Sequence, residues 1–155
     1  MKRKRSMKNN DYKKVLLINF RKEFINIANE KCQFPITNKI MPGKYTIVAF
    51  NENGKINDNS SIKAEFVLCP NSFPFKTIES KTVISCGMSN ESTFGLSSIN
   101  SERSMFFVNK AFNLGKELIL PFEEPFKPDS RLSIYENIVL HGIEKITSSN
   151  FCFKY

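Results

Sequence analysis

The side chains best suited to covalent chemistry in this sequence are one histidine and four cysteines. Cys86 stands beside Gly87 in "SCGMSNESTFGLSSI", and His141 lies in a segment with helical periodicity. A thiolate and an imidazole can act as nucleophile and base whenever the fold brings them together. No third, orienting residue and no oxyanion loop is identifiable beside them. A small hydrolase or transferase using Cys86 and His141 is therefore the less favoured hypothesis, and we predict no catalytic residue.

The other reactive residue types give no pattern for a metal or a cofactor. The cysteines at 32, 69, 86 and 152 include no Cys-x-x-Cys pair, so we predict reduced structural thiols rather than a zinc site. Glu123 and Glu124 precede Pro125, and adjacent acids on a loop are usually solvated. The six glycines are scattered and form no phosphate-binding loop, which argues against ATP and dinucleotides. We predict no metal and no cofactor.

Positive charge is concentrated at the amino terminus. Of the formal net charge of +8, residues 1–14 carry +6, because seven basic side chains there accompany a single acid, Asp11. A basic segment can bind phosphates by releasing counterions, with strong salt dependence and little sequence preference. The predicted nucleic-acid-binding residues are Lys2, Arg3, Lys4, Arg5, Lys8, Lys13 and Lys14.

Length and apolar runs set the domain organisation. A chain of 155 residues fits one domain, which we place at residues 11–155 after a basic disordered tail over residues 1–10. The longest apolar runs, such as residues 15–18, are far shorter than the ~20 residues that cross a bilayer. Polar residues follow the basic start where a signal peptide needs an apolar segment. We therefore predict a cytoplasmic protein with no membrane partner.

The first apolar segment, "DYKKVLLINFRKEFINIANEKC", fits two structures. Helical spacing of large apolar residues favours one helix over about residues 12–31, through Leu17, Phe20, Phe24 and Ile27. The rival structure is a short buried strand, Val15–Phe20, followed by a shorter helix. A continuous apolar run does not distinguish the two.

Turn residues and prolines then mark a series of strands. The first three are Tyr45–Phe50, the stretch "SIKAEFVLCP" ending at Pro70, and "KTVISCGM" closed by Gly87. A meander follows, with predicted strands at Thr93–Ile99, Met105–Phe112 and Glu117–Phe122. Gly115 suits a hairpin that pairs the last two of these strands. We expect "EEPFKPDS" to be a proline-broken connection.

The carboxyl-terminal part predicts a helix. Ser133 and Glu136 have the spacing of a capping box, and apolar residues then repeat with helical period over about residues 134–147. "NFCFKY" alternates in a way that suits a short edge strand. The expected fold is a single α/β domain, with α+β as the alternative. It has a mixed sheet containing an antiparallel meander, an N-terminal helix and a C-terminal helix.

The turn after "VISC" is the favoured place for a ligand. Strand ends in α/β sheets form pockets, and a glycine there lets the backbone turn into a polar loop. The predicted ligand-rim residues are Cys86, Gly87, Ser89 and Asn90.

The order of elements over about residues 63–147 resembles the end of the central domain of Mur ligases. It is more closely similar to short clostridial-type proteins that lack the ATP loop of that family. The matching motifs are Cys69-Pro70-Asn71-Ser72, Ser85-Cys86-Gly87-Met88 and Tyr135-Glu136-Asn137. This chain has no ATP loop, has Ser72 where the family has an acid, and lacks the Gly-His-Asn element before the last helix. The resemblance implies a non-catalytic binding or scaffolding role without ligase or ATPase activity.

Taken together, these patterns favour a non-enzymatic binding module whose partner is a protein or a second copy of the chain. The main alternative is association with nucleic acid through the basic tail.

Overall fold

A computed structural model describes residues 13–55, 61–71, 78–97 and 104–148. The strands are β1 (Val15–Ile18), β2 (Ile36–Thr37), β3 (Gly43–Phe50), β4 (Ile62–Pro70), β5 (Glu79–Cys86), β6 (Phe94–Ser97), β7 (Ser104–Val108), β8 (Phe112–Leu114), β9 (Glu117–Ile119) and β10 (Phe122–Phe126). The helices are α1 (Lys22–Lys31) and α2 (Ile134–Ser148).

Eight strands form one mixed sheet in the order β10-β7-β6-β5-β4-β3-β1-β2. The pairs from β2 across to β6 are parallel, whereas β6, β7 and β10 pair antiparallel. Strands β8 and β9 form a separate hairpin. The parallel half of the sheet therefore has an amino edge, where β1, β3, β4 and β5 begin, and a carboxyl edge, where they end. The expected mixed α/β domain with two helices is confirmed.

The start of the domain corrects the favoured sequence interpretation. Residues 15–18 form a strand between β2 and β3 rather than the first turns of a helix over residues 12–31, and the helix begins only at Lys22. All four residues of β1 are at most 2 % exposed. A helix exposes part of its surface, whereas a parallel strand inside a sheet is buried on both faces, so a continuous apolar run suits β1. The rival strand-then-helix structure is the one observed.

Both helices cover the same face of the sheet. Phe24 and Ile27 on α1 and Ile138 and Ile143 on α2 belong to the large core cluster that includes Leu68 of β4. Phe20, in the turn before α1, stacks on Phe24 with ring centroids 4.3 Å apart. These contacts fix α1 and α2 across the middle of the sheet.

The meander differs from its prediction in where the strands break. The predicted strand Met105–Phe112 is two strands, β7 and β8, and the hairpin at Gly115 joins β8 to β9. Gly115 has φ +61°, as the hairpin prediction requires. Strand β7 instead pairs with β10, within the segment expected to be a connection. Pro125 is tolerated because β10 is an edge strand, where one side of the backbone needs no partner.

The capping box at the start of α2 is confirmed. The Glu136 backbone N–H donates to Ser133 Oγ at 3.1 Å, and the Ser133 N–H donates to Glu136 Oε1 at 2.8 Å. Arg21, just before α1, adds hydrogen bonds from Nε and from a terminal nitrogen to the same carboxylate at 3.0 and 2.9 Å. Burial raises the pKa of Glu136, but the bonds from Arg21 and Ser133 lower it more, so the net shift is downward. This carboxylate thus joins the starts of both helices.

The strands predicted at Tyr45–Phe50, in "SIKAEFVLCP" and in "KTVISCGM" are confirmed, as is the C-terminal helix. The predicted tail over residues 1–10 and the edge strand in "NFCFKY" lie outside the described residues.

Candidate functional site

The carboxyl edge holds the predicted ligand rim. The Cys86 side chain is 2 % exposed and packs in the helix-side core, so only its backbone reaches the edge. Gly87 follows at the strand end, and Ser89 and Asn90 are exposed in the turn. The Asn90 carbonyl accepts a hydrogen bond from the side-chain amide of Asn109. The structure therefore brings three of the four rim residues to the surface at one strand end.

Asparagine directly follows several strands at this edge, a pattern that the sequence interpretation overlooked. The positions are Asn19 after β1, Asn51 after β3, Asn71 after β4 and Asn109 after β7. Asn51 Nδ2 donates to the Asn19 carbonyl at 3.0 Å, and Asn71 Nδ2 donates to Ser92 Oγ at 2.9 Å. These amides brace neighbouring loops. The sequence signal was an asparagine placed immediately after each of these four apolar runs.

His141 is held in a polar contact between α2 and the edge strand β10. Its Nε2 lies 3.0 Å from Glu124 Oε1, and Lys145 Nζ lies 2.7 Å from the same carboxylate. The rings of Phe106 and Phe126 flank the imidazole, with centroids 4.5 and 4.4 Å away. Burial lowers the pKa of His141, partly offset by its hydrogen bond to Glu124. These contacts hold helix α2 against the edge strand β10.

The hypothetical Cys86 and His141 pair engages other groups. The Cys86 thiol lies 3.8 Å from the Ile84 carbonyl, while the imidazole faces Glu124. Burial raises the pKa of Cys86 well above its usual value. Cys32 and Cys69 are also free thiols, and burial raises the pKa of each to about 12. High thiol pKa values disfavour the thiolate that a nucleophile requires.

The amino edge carries a row of lysines, one on or beside each of four neighbouring strands. Lys44, near the start of β3, is the register partner of Lys63 on β4, and Lys81 lies on β5. Lys14 directly precedes β1, and its carbonyl accepts a hydrogen bond from the Thr46 N–H of β3. We call Lys14, Lys44, Lys63 and Lys81 the lysine row. Neighbouring strands are about 4.8 Å apart, so the backbone positions that carry these lysines are closely spaced.

Contacts along the lysine row leave most of its charge at the surface. Lys14 Nζ lies 4.8 Å from the centroid of the Tyr45 ring, a cation–π contact. Lys63 Nζ is 3.5 Å from Glu79 Oε2, but both side chains are more than half exposed, so the pair is weak. Lys81 and Lys63 are exposed. The row can therefore still attract an anion.

Two cavities open beside the lysine row. The smaller, of about 280 Å³, is lined by Lys44, Tyr45, Lys63, Ala64, Glu65, Glu79, Ser80 and Lys81. The larger, of about 630 Å³, is lined by Lys13, Phe34, Thr46, Glu65, Phe66, Lys81, Leu114, Gly115, Ile146 and Thr147. Glu65 and Lys81 line both cavities, so both cavities lie beside the same two residues at the amino edge.

Two of the predicted basic residues, Lys13 and Lys14, lie at this edge of the sheet. Lys13 and Lys14 stand at the start of β1, and Lys13 lines the larger cavity. The predicted residues Lys2 to Lys8 lie outside the described part of the chain. Beyond residues 1–14 the formal net charge is only +2, and this total does not show where the remaining lysines lie. The signal that the sequence interpretation missed is a lysine within the first three residues of each of the strands β3, β4 and β5.

Within residues 13–55, 61–71, 78–97 and 104–148, no three His, Cys, Asp or Glu side chains cluster in a way that could hold a metal ion. Neither α1 nor α2, the helices of that same part of the chain, has the length and apolar content needed to cross a bilayer. Comparisons with protein-family models, curated proteins and solved structures found no match.

Proposed function

We propose that this protein is a non-enzymatic binding module whose partner is nucleic acid, bound along the amino edge of its sheet. The observation that carries the proposal is the lysine row, of which one member, Lys14, directly precedes β1 at the end of the basic amino-terminal segment. In this proposal the basic residues of the amino-terminal segment and the lysine row bind the same partner. We keep the predicted cytoplasmic location as part of the proposal.

Charge and spacing support a polyanionic partner. A phosphate backbone presents closely spaced negative charges, and lysines neutralise them by displacing counterions. Four lysines on adjacent strands can follow such a backbone across the sheet, because their long side chains adjust to the phosphate spacing. Glu65 and Glu79 lie among these lysines and weaken the attraction for a structureless polyanion. A partner that binds here must therefore make favourable contacts besides those of its phosphates. The bases and sugars of nucleic acid can supply such contacts.

The two rival functions have less support in the described residues. Self-association through sheet edges is opposed at β10 by Pro125 and the exposed Glu123, and at the other edge by the two-residue length of β2. A hydrolase or transferase would need Cys86 as a thiolate, but the thiol is buried with a raised pKa. The Mur ligase resemblance stays a prediction, and a non-catalytic binding role agrees with it.

Salt dependence of oligonucleotide binding tests the proposal. The binding constant of a fluorescent single-stranded 12-mer is measured by anisotropy from 50 to 300 mM KCl. Replacing Lys63 and Lys81 by alanine should make the negative slope of log K against log salt shallower by about 0.7 per lysine. The matched control replaces Lys55 and Lys110, exposed lysines at the carboxyl edge, and should leave the slope unchanged. Equal slopes for the two double variants would refute the lysine row as the binding surface.

A further inference from the structure

We infer that the larger amino-edge cavity accepts one unstacked base of a single strand, and that Glu65 favours bases carrying an exocyclic amine. This inference rests on the proposed function and names the class of nucleic acid. It is carried by the size and lining of the cavity and by the position of one carboxylate between two lysines.

The cavity has a volume and a mixed apolar and polar lining that suit a small molecule. Its volume of about 630 Å³ lies in the range of small-molecule pockets, which are largely apolar with a few placed polar groups. The Phe34 ring is half-buried at its wall, and Leu114 of the β8–β9 hairpin is half-buried opposite the sheet residues. Ile146 of α2 adds a further apolar contact. Aromatic and apolar walls hold unstacked bases in single-strand-binding proteins.

Glu65 supplies a hydrogen-bond acceptor at this wall. It is half-buried on β4 between the cavity-lining Lys13 and Lys81. Among the residues that the structure describes, its carboxylate makes no hydrogen bond or ion pair within 4.0 Å. An ionised carboxylate only accepts hydrogen bonds, and the amino group of cytosine is a donor that glutamate reads. A nucleotide whose base has an exocyclic amine can therefore donate a hydrogen bond to Glu65 while the adjacent phosphates contact Lys13 and Lys81.

The same geometry selects against a duplex. In a double helix the base is stacked between its neighbours and its pairing edge is occupied, so it cannot enter a cavity without being extruded. A single strand has its bases free to turn outward. The lysine row runs across β5, β4, β3 and β1 beside the cavity, which gives neighbouring phosphates a path.

The test compares oligonucleotides that differ only in the base. Anisotropy titrations at pH 7.5 use labelled single-stranded dC12 and dT12, a dC12·dG12 duplex and dCMP as competitor. One additional hydrogen bond corresponds to roughly a fivefold difference. We expect dC12 to bind about fivefold more tightly than dT12, and the duplex and dCMP to bind more weakly than dC12.

Two matched carboxylate variants assign the preference to one residue. Glu65→Gln should abolish the preference for dC12 over dT12. Its effect on the slope of log K against log salt should be no larger than that expected from removing one negative charge. Glu79→Gln removes the same charge on the neighbouring strand and should keep the preference. Leu114→Trp, checked for folding by circular dichroism, should narrow the cavity and also reduce the preference. If Leu114→Trp does not fold, the comparison of Glu65→Gln with Glu79→Gln tests the inference by itself.

The outcomes separate the two proposals. Equal binding of dC12 and dT12 by the unmodified chain would overturn the base-binding inference and leave nucleic-acid binding standing. Tighter binding of the duplex, or dCMP binding as tightly as dC12, would overturn the single-strand assignment. No binding of any oligonucleotide would instead contradict the proposed function itself.

Discussion

The Tyr135 hydroxyl donates a hydrogen bond of 2.6 Å to the backbone carbonyl of Phe50, joining helix α2 to the carboxyl end of strand β3. Both residues are buried, and they are far apart in the sequence. Burial of the phenol raises the pKa of Tyr135, so it stays a donor throughout the usual pH range. The bond therefore fixes the position of the helix over the sheet at all ordinary pH values.

Replacing Tyr135 by phenylalanine should lower the free energy of unfolding by about 1–3 kcal/mol, because the buried carbonyl of Phe50 loses the hydrogen bond that Tyr135 donates. Tyr45→Phe is the matched control. The Tyr45 hydroxyl donates to the carbonyl of Met41, an exposed residue, so water can replace it and the cost should be smaller. Urea denaturation measures both variants. Equal losses for the two would show that the Tyr135 bond is no more important than a surface contact.

The thiol of Cys86 should be unreactive while the protein is folded. Its side chain is buried and its pKa is raised well above the usual value, so thiolate is scarce and reagent access is blocked. In a Cys152→Ser background, labelling by a disulfide reagent at pH 8 should be slow for Cys86 and Cys69, and should accelerate with urea as the protein unfolds. Fast labelling of Cys86 in the native state would instead favour the Cys86-based enzyme hypothesis.

Protonation of His141 should destabilise the fold. Its pKa is lowered chiefly by burial, with Glu124 opposing the shift and the charges of Lys145 and Lys31 adding to it. The unfolded state then binds more protons than the folded state just below pH 6.5, so the free energy of unfolding falls as the pH drops through that range.

The His141→Gln variant measures this contribution. Unfolding free energies between pH 7.5 and 5 should fall less steeply for this variant than for the unmodified chain. Glu124→Gln removes the group that holds the pKa up, and should make the dependence steeper while His141 remains. A parallel pH dependence in the unmodified chain and in His141→Gln would contradict the assigned direction of the shift.

Local sequence signals predicted the parts of the fold that depend on local interactions. Helix α2 was predictable because Ser133 and Glu136 form its capping box within one turn. Strand β1 was not, since four apolar residues suit a strand or a helix, and the choice depends on pairing with Ile36 and Ile47, distant in sequence. The same reason explains β10, whose pairing with β7 outweighs the presence of Pro125.

The candidate site was harder to predict than the fold. The lysine row exists only because the parallel register places Lys44 beside Lys63 and brings Lys14 next to Tyr45. Net charge alone located the basic amino-terminal segment but did not show where the other lysines lie in the fold. The ligand rim stays a prediction, and within it the Cys86 side chain faces the core because alternate residues of a strand point to opposite faces.

Lysine accessibility in the presence of an oligonucleotide tests the central claim most directly. The chain is acetylated briefly at low reagent concentration with and without saturating dC12, and modification at each lysine is quantified by peptide mass spectrometry. Bound nucleic acid should protect Lys14, Lys63 and Lys81 several-fold and leave Lys55 and Lys110, at the carboxyl edge, unchanged. Protection confined to the lysines of the basic amino-terminal segment, or equal protection of lysines at both edges of the sheet, would contradict binding along the lysine row.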